Sequence, residues 1–368
     1  MTSANQPQQS TDSVVTNETV STQRAWVEIF GSSGLADWLR EQQVSLAFST
    51  YQSGKIFFIG TSPDATLSVY ERTFDRAMGL YGSDQTLWLS TSFQLWRLEN
   101  ALQPDRLYDG RDRLFVPRVA YTTGDLDIHD IIVESTGRIV FVATQLSCLG
   151  TVSHRFNVKP LWRPSFISRL APEDRCHLNG LAERDGCARY VTAVSRSDVS
   201  GGWRNDRTDG GIVMDVTTDR VIGEGFSMPH SPRWYRDQLW LLNSGCGYFG
   251  RLDLQSGRFE PIAFCPGYMR GLSFVGDYAV IGLSKPRHDQ NFGGLPLEQE
   301  LAQRQQSSEC GLQIINLKTG ETVHWLKLEG NVTELYDVVV LKGALRPMAL
   351  GLKTDEIKTL LALDESDT

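Results

Sequence analysis

Residues 177–193, HLNGLAERDGCARYVTA, place a histidine and an asparagine two residues apart, just before a short apolar strand, a turn and a second apolar strand. Side chains two apart on a strand share a face, so His177 and Asn179 are predicted to point the same way at the strand entrance. The turn contains Asp185 and Gly186, which is typical of a hairpin connection. The stretch therefore predicts a hairpin with two polar side chains at its mouth.

The same pattern recurs along the chain, which indicates a repeat. Aligned on the leading apolar residue, the six units place at one position Met78, His129, Asn179, Pro232, Arg270 and Tyr336. Their separations are 51, 50, 53, 38 and 66 residues, and most are near the ~40–50 residues of a four-stranded propeller blade. The sequence thus predicts an all-β fold, a single six-bladed β-propeller over about residues 44–345. The apolar segments before the first unit are expected to complete the last blade and close the ring.

The ends of the chain and one insertion differ from this pattern. Residues 1–22 are rich in Ser, Thr, Gln and Asn, and we expect a disordered tail, with the propeller domain covering residues 23–368. Short helices are predicted at residues 32–43, with a serine cap, at 295–306 and at 354–366. The insertion at residues 285–310 is long enough to act as a lid.

Charge and cysteine content limit the partners and the compartment. The formal net charge is −8 and no basic patch is interleaved with aromatic residues, so we expect neither a nucleic-acid nor a membrane partner. No apolar run approaches the ~18 residues of a membrane span. The six cysteines form no CxxC pair, which favours reduced thiols and a cytoplasmic location. The oligomeric state is left open.

Three of the six histidines stand at repeat-related strand entrances: His129, His177 and His230. Entrances of inner strands converge on the mouth of a propeller channel, and three histidines with an open position form a catalytic metal arrangement. We therefore predict one divalent ion, zinc, copper or iron. The alternative is that these histidines make structural or substrate hydrogen bonds.

The remaining entrances supply candidates for chemistry. Arg270 is suited to bind a carboxylate or phosphate through its guanidinium fork. Tyr336 is a candidate general acid or base, and Glu334 shares its face. The alternative for Arg270 and Glu334 is a structural ion pair with each other. Further predicted substrate contacts are Asn179, Trp203 and Arg204.

Four motifs, LAPEDRCHLNGLAERDG, GDLDIHDI, MPHSPRWY and GLSKPR, together resemble an uncharacterised bacterial family of hypothetical β-propeller proteins over about residues 45–341. More remotely, the strand entrance around Asn179 is similar to that of gluconolactonases and paraoxonases, six-bladed propellers in which such an asparagine binds calcium. The acidic calcium ligands of those proteins have no counterpart here, where Met78 and Pro232 stand. Strictosidine-synthase-like propellers share the architecture without a metal site.

The lyase domain of peptide-amidating enzymes offers an analogy of residue types. It is a propeller with three zinc-binding histidines accompanied by tyrosine and arginine, and His129, His177, His230, Arg270 and Tyr336 resemble that set in kind. No shared motif supports the analogy.

Three functions follow from these residues. The first is a metal-dependent enzyme, of lyase, hydrolase or oxygenase type, acting on a small polar or anionic molecule or a peptide at the channel mouth. The second is a calcium-dependent, lactonase-like hydrolase centred on Asn179. The third is a propeller without catalysis that binds a protein or a glycan.

Overall fold

The structure, a computed structural model, describes residues 26–286, 293–353 and 355–363. Six sheets surround one channel, and their innermost strands contact one another in ring order. This confirms the predicted six-bladed propeller. In chain order the strands are β1 (Val27–Gly31), β2 (Val44–Thr50), β3 (Lys55–Thr61), β4 (Leu67–Thr73), β5 (Leu80–Gly82), β6 (Thr86–Ser90), β7 (Gln94–Asn100), β8 (Arg113–Thr122), β9 (Ile128–Val133), β10 (Ile139–Ala143), β11 (Cys148–Thr151), β12 (Lys159–Trp162), β13 (Leu178–Arg184), β14 (Cys187–Ala193), β15 (Gly211–Asp215), β16 (Arg220–Phe226), β17 (Pro229–Tyr235), β18 (Gln238–Asn243), β19 (Tyr248–Leu252), β20 (Phe259–Phe264), β21 (Tyr268–Val275), β22 (Tyr278–Ser284), β23 (Gly311–Asn316), β24 (Thr322–Gly330), β25 (Val338–Lys342) and β26 (Pro347–Ala349).

The innermost strands of the six blades are β5, β9, β13, β17, β21 and β25. Each begins within a few residues of the predicted position. The sixth blade joins the two ends of the chain, because β25 pairs antiparallel with β2, which continues into β3 and β4. The expected closure of the ring is therefore confirmed. Two further strands are added at the outer edges of blades: β1 pairs antiparallel with β24, and β26 pairs parallel with β8.

Hydroxyl groups bridge neighbouring blades at the channel mouth. In five places a serine or threonine near the end of a blade's second strand donates a hydrogen bond to a backbone carbonyl group of the next blade. The accepting carbonyl group lies at or close to the start of that blade's inner strand. The five bonds run from Ser49 to Met78, Ser90 to Ile128, Thr144 to Leu178, Ser244 to Met269 and Ser284 to Leu335. The five acceptor residues occupy equivalent positions in their blades. The residue that follows each acceptor, together with His230 from the remaining blade, belongs to a ring around the channel. We call it the mouth ring, and its members are Gly79, His129, Asn179, His230, Arg270 and Tyr336.

His230 is assigned to this ring by a second recurring contact. Asp130 and Asp337 each accept the backbone N–H of the next inner strand, from Leu181 and Leu80, and the Ser231 hydroxyl accepts that of Gly271. The predicted alignment was wrong in two blades, because Gly79 and His230 occupy the positions assigned to Met78 and Pro232. The physical reason in the fourth blade is an irregularity in β17, whose pairing with β18 shifts register between His230 and Arg233.

Three α-helices and two 3₁₀ turns interrupt the strands in the described part of the chain: α1 (Leu35–Glu41), α2 (Pro296–Gln303), α3 (Glu356–Thr359), and 3₁₀ turns at Thr144–Leu146 and Gly202–Asn205. The predicted serine cap of α1 is wrong, because Gly34 is the N-cap residue and no side chain caps the helix. The Ser32 hydroxyl instead contacts His324 Nδ1 and accepts the Trp325 N–H. None of the described helices has the length and apolar character needed to span a bilayer.

Two predictions concern residues at the margins of the described chain. The tail at residues 1–22 lies outside the described residues, and so do residues 287–292 of the predicted lid. The described remainder of that insertion includes α2, whose Leu297 and Leu301 pack in a cluster with Trp203 and Tyr268. The insertion therefore contacts residues at the channel mouth, and its role as a lid stays a prediction.

Candidate metal centre

Two of the three candidate histidines share the same local backbone conformation. His129 and His230 are each the second residue of an inner strand, and each is preceded two residues earlier by a residue in the left-handed region, Asp127 (φ 51°) and Met228 (φ 47°). His177 lies immediately before β13 and is itself left-handed, with φ 49°. Such backbone is uncommon outside glycine and is concentrated at functional sites.

The three imidazoles converge on one point. One ring nitrogen from each of His129, His177 and His230 lies within 4.8 Å of the others. The rings of His129 and His177 are 5.0 Å apart, and those of His129 and His230 are 6.4 Å apart. All three residues are buried. Tetrahedral zinc with bonds of ~2.0–2.1 Å would hold its nitrogens ~3.3 Å apart, so small rotations of the rings are enough to enclose an ion.

One nitrogen of every ring, Nδ1, is bonded to a protein oxygen. His129 Nδ1 lies 2.9 Å from the Asp127 carbonyl oxygen, and His230 Nδ1 lies 2.9 Å from the Met228 carbonyl oxygen. His177 Nδ1 lies 2.9 Å from an Asp174 carboxylate oxygen. Because carbonyl and carboxylate oxygens only accept, each Nδ1 carries the proton. In the neutral rings Nε2 is then the nitrogen with the free lone pair, as in histidine metal ligands whose other nitrogen is bonded to protein.

Asp174 and Trp203 brace His177 from behind. The Trp203 indole stacks on the His177 ring at 4.2 Å, and its Nε1 donates to Asp174 at 2.7 Å. Asp174 is mostly buried, and although burial opposes it, the charge and hydrogen bond of His177 keep the pKa of this carboxyl below its usual value. A carboxylate that holds a histidine in this manner raises the basicity of the ligand nitrogen. Trp203 is a buried residue of the site wall, and contact with a substrate stays a prediction.

Burial keeps two of the histidines neutral. It lowers the pKa of His129 to about 4, despite the opposing charge of Asp127. It also lowers the pKa of His230 well below the ordinary value, with Arg270 as the next contribution. Neutral imidazole is the form that binds a metal, so both side chains are competent ligands at neutral pH.

Asn179 stands between His129 and His230 in the mouth ring. Its Oδ1 accepts the Thr192 hydroxyl at 2.7 Å, and its Nδ2 lies 3.3 Å from His230 Nε2. The oxygen that a calcium ion would require already accepts one hydrogen bond, and the nearest other potential ligands are imidazole nitrogens. Calcium prefers six to eight oxygen ligands, whereas imidazole suits zinc, copper and iron.

Arg270 and Tyr336 complete the ring beside the histidines. The Arg270 guanidinium lies 4.7 Å from the Tyr336 ring and 5.7 Å from the Tyr268 ring. The Tyr336 ring is 5.2 Å from His129, across the gap left by Gly79. Burial raises the pKa of Tyr336 well above its ordinary value, so this hydroxyl keeps its proton and can act as a donor.

Two predicted residues lie outside this contact set. Glu334 is buried two residues before Tyr336, and among the described residues no ion pair joins it to Arg270. Arg204 lies over the outer face of Trp203 at 4.5 Å, so it is one ring removed from His177. Roles for both in catalysis or substrate binding stay predictions.

The residues that orient the histidines were missed at the sequence level. Asp127 and Asp174 precede their histidines by two and three residues, so the patterns Asp-x-His and Asp-x-x-His could have indicated them. Thr144, whose hydroxyl lies 2.8 Å from His129 Nδ1, begins the 3₁₀ turn after β10, and no short-range sequence pattern relates it to His129.

Comparison with known proteins agrees with the fold. The sequence profile of a family described as "Domain of unknown function (DUF4915)" matches residues 33–350. The chain belongs to the DUF4915 family. A search of curated proteins gives no relative of this DUF4915 chain.

Solved structures similar to this DUF4915 propeller share little sequence with it. A chain of the nidogen/laminin complex is 12% identical with a TM-score of 0.52, covering 82% of this chain and 99% of that chain. Virginiamycin B lyase from Staphylococcus aureus is 13% identical with a TM-score of 0.41, covering 77% and 76%. A protein of unknown function from Bacteroides caccae is 12% identical with a TM-score of 0.46, covering 81% and 98%. At such identities the first likeness concerns the fold alone.

Proposed function

We propose that this DUF4915 protein is a metal-dependent enzyme that holds one transition-metal ion on His129, His177 and His230 and acts on a small polar or anionic substrate at the channel mouth. The observation that supports it is the convergence of the three rings: Nδ1 of each is bonded to a protein oxygen, and one nitrogen of each ring lies within 4.8 Å of the others. Nε2 of His230 also lies 3.3 Å from Asn179 Nδ2, whereas Nε2 of His129 and of His177 makes no hydrogen bond to a described residue.

The chain supplies three ligands and leaves the rest of the coordination sphere to water or substrate, which is the pattern of catalytic sites. A bound ion would act there as a Lewis acid or lower the pKa of bound water. Asp174, Asp127 and Met228 hold the ligand rings through their oxygens. Arg270 orients an anionic group of the substrate, and the Tyr336 hydroxyl donates a proton or a hydrogen bond to it. The buried rings of Trp203 and Tyr268 exclude bulk water.

The test is metal analysis of the full-length protein, purified without chelator and then loaded separately with zinc, iron(II), copper(II) or calcium. We expect one tightly held transition metal per chain and no retained calcium. A cobalt(II) derivative should show the visible spectrum of a four- or five-coordinate site, and addition of a substrate should change that spectrum. Retention of no transition metal would contradict the proposal, and retention of calcium alone would favour the lactonase-like alternative.

A further inference from the structure

Arg270 differs from the other buried arginines of the channel region. Its residue exposure is 9%, yet its guanidinium makes no hydrogen bond or ion pair with any described residue and lies against two tyrosine rings. Arg175 pairs with Glu173 and Asp198, and Arg233 pairs with Asp130 and Asp337. The Arg270 nitrogens are not among the buried polar atoms that lack a partner, so the guanidinium reaches solvent while having no anion beside it. An anionic ligand entering the channel mouth could therefore pair with it.

The position of Arg270 favours such an anion more strongly once an ion is bound. Arg270 follows His230 in the mouth ring, and its guanidinium lies against Tyr336, whose ring also contacts His129. A divalent cation on the imidazoles would be repelled by this nearby positive charge. An anion between the ion and the guanidinium would relieve this repulsion and strengthen the binding of the ion.

Counting charges indicates how negative that anion is. The carboxylates that contact the histidines are Asp174, bonded to His177, and Asp127, with an oxygen 3.7 Å from His129 Nδ1. Two such negative charges against a divalent ion and Arg270 leave one positive charge. A singly charged group neutralises it, and a carboxylate matches the fork of a guanidinium.

The Tyr336 hydroxyl provides a second, independent observation. Its oxygen is buried and has no hydrogen-bond partner among the described residues. The Tyr336 ring contacts both Arg270 and His129, so the hydroxyl belongs to the same wall of the site. Buried hydroxyls without a partner are rare and costly, and a ligand oxygen would satisfy this one.

We propose that the substrate is a small monocarboxylate that bridges the bound ion and Arg270, and that ion and carboxylate bind cooperatively. This inference rests on the proposed metal site. Because coupling between two ligands is reciprocal, the carboxylate must tighten the ion by the same factor by which the ion tightens the carboxylate.

The test is calorimetric titration of zinc into the full-length, metal-free protein at pH 7, with ionic strength set by perchlorate so that no chloride competes. Zinc is titrated alone, with acetate, and with inorganic phosphate. We expect acetate to lower the zinc Kd by roughly tenfold, a typical coupling, and Arg270→Met to reduce the effect to less than about twofold. Arg196→Met is the matched control, because Arg196 is exposed and paired with Glu224, and it should keep the full effect.

Each result decides between the two proposals. Zinc binding that acetate does not strengthen would overturn the inference and leave the metal site standing. Absence of binding under every condition, with copper(II) and iron(II) titrated in place of zinc as well, would overturn both. Stronger coupling to phosphate than to acetate would replace the monocarboxylate by a phosphate ester. Coupling that persists in Arg270→Met would show that the anion contacts the ion alone. The wild-type titrations need no variant, so they decide the question even if Arg270→Met folds poorly.

Discussion

The channel region contains two adjacent polar clusters, the three histidines and the group formed by Arg233, Asp130 and Asp337, and they are built in opposite ways. In the first, three histidines direct a nitrogen at a common point, and Nε2 of His129 and of His177 has no hydrogen bond to a described residue. In the second, Arg233 Nη1 lies 2.7 Å from Asp130 and Nη2 lies 3.7 Å from Asp337.

The second cluster uses nearly all its hydrogen-bonding capacity within the protein. Asp130 accepts the N–H groups of Ile131 and Leu181, and Asp337 accepts those of Leu80 and Val338. Arg233 also donates to the carbonyl oxygens of Leu181, Pro232 and Leu272. This difference distinguishes buried polar groups that stabilise the fold from buried polar groups that are available to a ligand. The saturated cluster joins blades to one another, whereas the histidine cluster keeps groups that the protein does not satisfy, as the proposed binding role requires.

The largest expected effect is loss of the ion when one ligand is removed. His230→Ala should reduce retained zinc from one ion per chain to less than about a tenth, because two imidazoles bind far more weakly than three. Metal analysis after gel filtration measures this, with circular dichroism to confirm the fold. His324→Ala, a half-buried histidine on β24, is the matched control and should retain the ion. If His230→Ala and His324→Ala retained equal amounts of zinc, the three-histidine cluster would not be the metal site.

Arg233→Met should instead affect stability. Removing one partner of a buried ion pair leaves an uncompensated charge and costs about 3–5 kcal/mol. The Arg233 side chain is 20% exposed, so we expect the lower end of that range. Urea unfolding of the metal-free protein gives the free energy directly. If Arg233→Met lost zinc without losing stability, the second cluster would belong to the binding site.

Asp174→Asn tests the brace behind His177. The amide can still contact the ring but no longer carries the charge, and changes of this kind weaken metal binding by about 10–100-fold. Competition with a chromophoric chelator measures the zinc Kd. Asp198→Asn is the control, because Asp198 lies in the same loop region and pairs with Arg175 rather than with a histidine. An unchanged Kd in Asp174→Asn would exclude the brace from the metal site.

The smallest effect concerns pH. Burial raises the pKa of Asp337 to about 7, against the opposing charge of Arg233 and with the Asp130 carboxylate adding to the rise. In the unfolded chain an aspartate titrates near ~3.9. Since the folded protein binds this proton more tightly, the stabilisation is complete below about pH 4 and is lost as the pH rises through about 7.

Asp337→Asn should therefore flatten the decline of stability between pH 5 and pH 8. The measurement is the urea midpoint of the metal-free protein at both pH values. Asp253→Asn should keep the wild-type decline, because hydrogen bonds from the backbone of Ser256 and Gln255 lower the pKa of that exposed carboxyl and place its titration below this window. Identical slopes for Asp337→Asn and wild type would contradict the assignment.

The sequence predicted the blades because each four-stranded blade needs about 40–50 residues, so the inner strands recur at that interval. Residues near 129, 179 and 270 open inner strands as expected. The register failed at Met78 and Pro232, since apolar residues alone do not reveal a bulge such as the one in β17. The alignment therefore hid the fact that His129 and His230 are equivalent and that His177 is the exception.

Within the site, the three histidines were predictable from the sequence. The residues that bond to them or stack on them were predictable only in part. Asp127 and Asp174 are close to their histidines in sequence. Trp203 lies in the segment between β14 and β15 and reaches His177 only because the chain folds back over the mouth. Contacts between separate loops depend on packing, which residue spacing does not encode.

The closure of the sixth blade has a consequence for protein synthesis. β2, β3 and β4 leave the ribosome early, and their inner partner β25 follows about three hundred residues later. Tyr336 stands two residues before β25, so the last member of the mouth ring arrives with the strand that locks the ring. A nascent chain that stalls before this point already has all three histidines but no finished site. The mouth ring is thereby incomplete until the last inner strand has been synthesised.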